Sequence, residues 1–139
     1  MTTSYHIEET INAPAEKVWS LLGDSSTWTD WNPTIVSIEG PIAVGQKVKL
    51  VSTLNPKRTF NLSVTDLVPN QRMVWSDGMP LGLFTGERTY TLTETDGATT
   101  FAMTEEYTGL LAGMITKSIP DMTDSFAEFA AGLKDAAEH

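Results

Sequence analysis

The sequence predicts an α+β protein in which a seven-stranded, curved antiparallel sheet wraps around a long C-terminal helix, with two short helices after the first strand. Three observations predict it. An Asp96-Gly97 turn joins two alternating runs, a strong two-residue hairpin signal. Apolar residues from Leu111 to Leu133 recur at spacings of four and three, the stripe of a helix that packs one face on a core. The runs between these landmarks are separated by short Gly-, Pro- and Asn-containing connections, which implies antiparallel neighbours.

The elements follow in order. Residues Tyr5 to Asn12 alternate and read as a strand, with Tyr5, Ile7, Glu9 and Ile11 on one face. Pro14 suits a first helical turn, with Asn12 or Ala13 as its cap. Val18, Trp19 and Leu22 carry that helix to Gly23, and Trp19 is expected under the sheet. Ser25 or Ser26 is expected to cap a second short helix, Trp28 to Trp31, which Pro33 stops.

Strands are then expected at about Thr34–Glu39, Lys47–Leu54, Arg58–Leu67, Arg72–Asp77, Phe84–Glu94 and Thr99–Thr108. The Asp96-Gly97 loop sets Thr95 against Ala98, Leu92 against Phe101, Tyr90 against Met103 and Arg88 against Glu105. One face of that hairpin is then apolar and the other is rich in threonine, as a half-buried sheet requires. A three-residue loop at Asn55–Lys57 would set Val48 against Val64 and Leu50 against Leu62. A tight turn at Pro69-Asn70 would set Val64 near Trp75 and Asp66 near Met73. The stripe of Leu111, Ile115, Ile119, Met122, Phe126, Phe129 and Leu133 covers the inward face, with the helix kinked or restarted at Pro120. Asp121, Asp124 and Glu128 fall on its wet side.

Composition narrows the function. At 139 residues, with 40% hydrophobic and 19% charged residues, the chain reads as one globular unit, 1–139. A formal net charge of −9 without a basic cluster argues against nucleic acid and against lasting contact with anionic lipid headgroups. The absence of cysteine removes disulfides, thiolate metal sites and cysteine nucleophiles, and it suits a reducing cytoplasm. No signal peptide is read at the N-terminus, and no apolar run approaches the roughly 20 residues of a membrane span. A cytoplasmic location is therefore expected, with no stable membrane insertion; the oligomeric state is left open.

The candidate chemistry is sparse. His6, on the polar face of its strand, and His139 are the only histidines, so a serine–histidine–aspartate triad lacks its central base and a zinc site lacks ligands. Arg88 and Glu105 oppose each other on the apolar face, where an unpaired charge would be costly. They either satisfy each other structurally or, with the Tyr90 hydroxyl, orient a ligand's carbonyl or phenol group. Glu9 could approach Glu105 as a second carboxylate and supply a general acid. Trp28 and Trp31 read as core residues or as the rim of a pocket, and Trp75 is the best aromatic pocket candidate. Met73, Met103, Met114 and Met122 mostly fall on inward positions. Gly78 to Gly82 is no phosphate loop and could form a pocket lip.

Several short motifs run in order along the chain. They are Ile11-Asn12-Ala13-Pro14, Val18-Trp19, Trp31-Asn32-Pro33, Pro69 followed by Met73-Val74-Trp75, Gly86-Glu87-Arg88-Thr89-Tyr90, Glu105 to Leu111, and the closing Leu133-Lys134 with Glu138. In this order the chain resembles the START-like (SRPBCC) helix-grip superfamily, in its polyketide cyclase/dehydrase and lipid-carrier branch. The resemblance implies a cavity between sheet and last helix for a small hydrophobic ligand: a lipid, quinone or polyketide-like molecule. It equally admits a cofactor-independent cyclase/dehydratase, with Arg88, Glu105 and Tyr90 as the candidate working groups, or an interaction module related to chaperone regulators. The expected ligand-binding residues are Trp75, Met73, Arg88, Tyr90, Met103, Glu105, Phe60, Leu62, Trp31, Met122 and Phe126. No metal and no cofactor is expected.

Overall fold

The computed structural model describes residues 3–79, 81–118 and 121–139. Strands β1 (Thr3–Ile11), β2 (Ile35–Glu39), β3 (Lys47–Ser52), β4 (Phe60–Val68), β5 (Arg72–Met79), β6 (Phe84–Thr95) and β7 (Ala98–Thr108) form one antiparallel sheet in the order β1-β7-β6-β5-β4-β3-β2. The chain thus meanders from β2 to β7, and β1 closes on the last strand. Helices α1 (Ala15–Leu22) and α2 (Trp28–Trp31) carry it from one edge of the sheet to the other. Helices α3 (Ala112–Ile115) and α4 (Thr123–Glu138) follow the sheet, and α4 lies over its concave face.

The β6–β7 register is the one the Asp-Gly turn dictates, from Thr95↔Ala98 through Arg88↔Glu105 to Thr85↔Thr108. Asp96 adopts φ 53° and Gly97 φ 80°, the left-handed pair that such a turn needs. The expected β3–β4 register is corrected: Val48 faces Leu62 and Leu50 faces Phe60. The connection runs from Thr53 to Thr59, longer than a tight loop, so the turn does not set the pairing. The displacement is two residues, which preserves the faces, because side chains alternate with a period of two. Between β4 and β5 Val64 does oppose Trp75, but a bulge after Val64 moves Asp66 to Val74 and Leu67 to Met73.

The sheet's inward residues Val48, Val64, Met73, Trp75, Tyr90, Phe101 and Met103 are buried. From α4, Phe126, Phe129 and Leu133 meet them, and each such side chain stabilises the fold by about 1.5–3 kcal/mol through area removed from water. The stripe is real over α4 but does not belong to one helix. The chain forms α3, a 3₁₀ turn at Thr116–Ser118, and then α4 anew from Thr123, with the Asp121 carboxylate accepting the Thr123 N–H at 2.9 Å. Met114 faces solvent, contrary to its expected inward position, and Leu110, which is not part of the stripe, is exposed as well. Ile119 and Pro120 lie outside the described residues.

Both expected helix caps are corrected. Pro14 itself is the N-cap of α1 and has no side-chain acceptor; the Glu94 carboxylate of β6 takes the Ala15 N–H at 2.7 Å instead. Asp24, not Ser25 or Ser26, caps the turn before α2 by accepting from Ser26 N. At the other end of the chain, Lys134 donates to the Thr10 carbonyl and to Glu138, and Glu138 accepts the Asn12 N–H. The motif residues Lys134 and Glu138 therefore tie α4 to the β1–α1 junction.

Candidate functional site

A cavity of about 470 Å³ lies between the inner face of β3–β7, α2 and the start of α4. Its apolar wall comes from alternate positions of the strands: Leu50, Phe60, Leu62, Trp75, Phe84 and Met103. Phe126 and Phe129 of α4 and Met122 before it roof the space. Phe60 and Leu62 are only half-buried, since they lie beneath the cavity rather than beneath helix side chains. A second depression, on the outer face of β2–β4, is lined by Ser37, Glu39, Lys49, Val51, Thr59 and Asn61 and has no buried wall.

Four charges line the main cavity and balance in sign: Arg58 and Arg88 against Asp77 and Glu105. Arg88 Nη2 donates to Glu105 Oε2 at 2.6 Å, with side chains 21% and 15% exposed. The guanidinium also lies 5.0 Å from the centre of the Phe126 ring. Burial works against the Arg88 charge, but Glu105 and the nearby Tyr90 hydroxyl outweigh it and hold the guanidinium above its ordinary range. Burial, and then the Glu105 carboxylate, pushes the Tyr107 hydroxyl up.

Aromatic rings organise the deep end. Trp28 stacks on Trp75 with centroids 5.2 Å apart and planes at 12°, and meets Phe129 edge-on at 5.4 Å. The Trp28 indole donates to the Leu22 carbonyl and the Trp31 indole to Thr27 Oγ1. The Trp75 indole N–H, the Asn32 Nδ2 and the Tyr90 hydroxyl are buried without a hydrogen-bond partner. Asn32 Oδ1 is occupied by the Thr34 N–H and hydroxyl, which leaves its Nδ2 as the free donor.

Eight of the expected ligand-binding residues stand on the cavity wall: Phe60, Leu62, Trp75, Arg88, Met103, Glu105, Met122 and Phe126. The other three do not line it. All three are packed into the core: Tyr90 and Trp31 against the Trp28 and Phe129 rings, and Met73 beside its cross-strand partner Tyr90. The Tyr90 hydroxyl lies near Arg88 but out of hydrogen-bond geometry, and burial pushes it up to about 12. Glu9 does not meet Glu105: the β1–β7 ladder places it opposite Phe101 and puts Tyr5 opposite Glu105. Trp19 is half-buried, against the edge of the core. Gly78 lines the cavity, and Leu81 beyond it is exposed, while the expected lip also includes Pro80, outside the described residues.

Sequence reasoning passed over Asn32 and Tyr107. Tyr107 follows Met103 and Glu105 at the strand period, so its face was legible. Asn32 stands in the sequence reading only as a member of the Trp31-Asn32-Pro33 motif, with no site role. Among the described residues no group of three or more His, Cys, Asp or Glu is placed to hold a metal ion, and no helix is long and apolar enough to cross a membrane.

Residues 2–138 match the family described as polyketide cyclase/dehydrase and lipid transport. The chain belongs to this family. Among solved structures it is similar to the Zhui aromatase/cyclase from Streptomyces sp. R1128, at 14% identity over 99% of this chain and 94% of that one, with a TM-score of 0.74. A truncated norcoclaurine synthase from Thalictrum flavum matches at 16% identity over 100% and 96%, TM-score 0.75. The Aha1 protein of Colwellia psychrerythraea, solved as a dimer, matches at 22% over 98% and 96%, TM-score 0.74. At these identities the likeness establishes the helix-grip fold and nothing about activity. No curated protein matches the chain significantly.

Proposed function

We propose that the protein binds a small hydrophobic molecule, a lipid, quinone or polyketide-like compound, in the cavity between sheet and α4. The observation that carries this reading is a space of about 470 Å³ with apolar walls and a single buried ion pair, which is the composition of a small-molecule site. Filling such walls with an apolar ligand removes their area from water, while the Arg88–Glu105 pair can orient one polar group. Family membership supports the reading. Mass spectrometry of ligands extracted from natively purified protein is expected to find a stoichiometric apolar molecule. Its re-addition should shift tryptophan emission, since Trp28 and Trp75 line the cavity. A protein that releases no ligand, and whose cavity methyl and indole resonances stay unmoved by apolar compounds, would rule the reading out.

A second reading is favoured by the ion pair and the Tyr107 hydroxyl at the same wall: a cofactor-independent cyclase or dehydratase acting by positioning and proton transfer. Arg88→Ala and Glu105→Gln should then each reduce turnover of an identified substrate by at least about tenfold. Unchanged turnover in both variants would exclude this mechanism.

A further inference from the structure

Three buried polar atoms in this protein have no partner among the described residues, and all three can donate a hydrogen: Asn32 Nδ2, Trp75 Nε1 and Tyr90 Oη. Two of the three residues, Asn32 and Trp75, line the same cavity, and they are 3% and 2% exposed. They are also mechanically linked. Asn32 N donates to the Trp28 carbonyl at 2.8 Å, and the Trp28 ring stacks on Trp75. A buried donor left unpaired costs about as much as a lost hydrogen bond, so two such donors on residues of one cavity lining call for an acceptor.

The kind of acceptor follows from charge. The Arg88 charge is already paired with Glu105, and the four charged residues of the lining sum to zero. An anionic ligand would have to break that pair or meet only the exposed Arg58, whose charge water screens, against a chain of net charge −9. An amide and an indole N–H are neutral donors suited to a neutral oxygen. Resting on the binding reading above, we infer that Asn32 and Trp75 select a neutral ligand bearing a carbonyl-type acceptor oxygen, and discriminate against both a bare hydrocarbon and a carboxylate of the same shape. The ion pair then serves as a self-neutralised wall, and the specificity lies with Asn32 and Trp75.

Three matched probes separate these classes: benzophenone, diphenylmethane and diphenylacetate, which share two phenyl rings and differ in a ketone, a methylene and a carboxylate. By calorimetric titration, benzophenone is expected to bind at least as tightly as diphenylmethane although its carbonyl is better solvated in water, and diphenylacetate is expected to bind most weakly. Trp75→Phe and Asn32→Asp each remove one donor and should weaken benzophenone by about three- to tenfold while leaving diphenylmethane within about twofold. Wild-type protein offers a readout that no variant can spoil by misfolding. The Trp75 indole N–H resonance should move further downfield with benzophenone than with diphenylmethane, whose rings alone shift it. Equal weakening of ketone and hydrocarbon in the variants, an indole shift no further downfield with the ketone than with the hydrocarbon, or a preference for diphenylacetate would overturn the assignment. If diphenylmethane binds and the ketone gains nothing, the cavity reading survives and only the donors' role fails. If none of the probes binds, both fall.

Discussion

Arg88 and Glu105 are direct cross-strand partners on β6 and β7, joined at 2.6 Å, and both open onto the cavity beneath Phe126. Their closeness ties a stability question to a binding one. Removing one partner leaves the other charge in a mostly buried position, whereas removing both leaves none. Glu105→Leu or Arg88→Met alone is expected to destabilise by about 2–4 kcal/mol, and the double variant by less than either. Urea unfolding of the four proteins in the cycle measures the coupling. Additive losses would show that the two charges act independently.

Tyr90 yields a prediction with an unusual sign. Its hydroxyl is fully buried and unpartnered, and burial pushes it up to about 12. The folded state therefore holds the proton more tightly than the unfolded chain, whose tyrosine titrates near about 10. That contribution is complete below pH of about 10 and is lost as pH rises through about 12. Tyr90→Phe should leave stability at neutral pH unchanged or slightly higher, and should flatten the alkaline decline. Melting temperatures across that range, compared with wild type, decide it; a loss of more than about 1 kcal/mol at pH 7 would mean that the hydroxyl has a partner.

Gly132 sits inside α4, where alanine is ordinarily better by about 1 kcal/mol. Here a Cβ would run into the Trp31 carbonyl and press on Pro33. The close approach of α4 to the Trp31-Asn32-Pro33 turn is what brings the helix over the cavity's deep end. Gly132→Ala is accordingly expected to destabilise by about 1–3 kcal/mol and to weaken ligand binding, as read by thermal unfolding and by titration. A gain in stability would show that helix and turn can separate freely.

Glu94 caps α1 from a distance, accepting the Ala15 N–H that Pro14 cannot satisfy. Glu94→Ala should cost about 0.5–2 kcal/mol, and Glu94→Gln less, because the amide oxygen can still accept. Hydrogen exchange at Ala15 is the direct probe, and it should accelerate in the alanine variant.

What the sequence determined by itself was local or periodic. Asp96-Gly97 pinned the β6–β7 pairing because a two-residue turn admits one register, and that pairing placed Arg88 against Glu105. Alternation assigned the inward faces correctly even where the β3–β4 register was two residues off, since a shift of two leaves parity intact. The helical period identified Phe126, Phe129 and Leu133 as the cover. Tertiary structure alone decided where packing stops and space begins. Trp28, laid on Trp75 and edge-on to Tyr90, keeps Tyr90 in the core, and the break between α3 and α4 separates the exposed Met114 from the buried stripe of α4. The unpaired donors of Asn32 and Trp75 are equally a property of the assembled fold, because whether a polar atom finds a partner depends on residues distant in the chain.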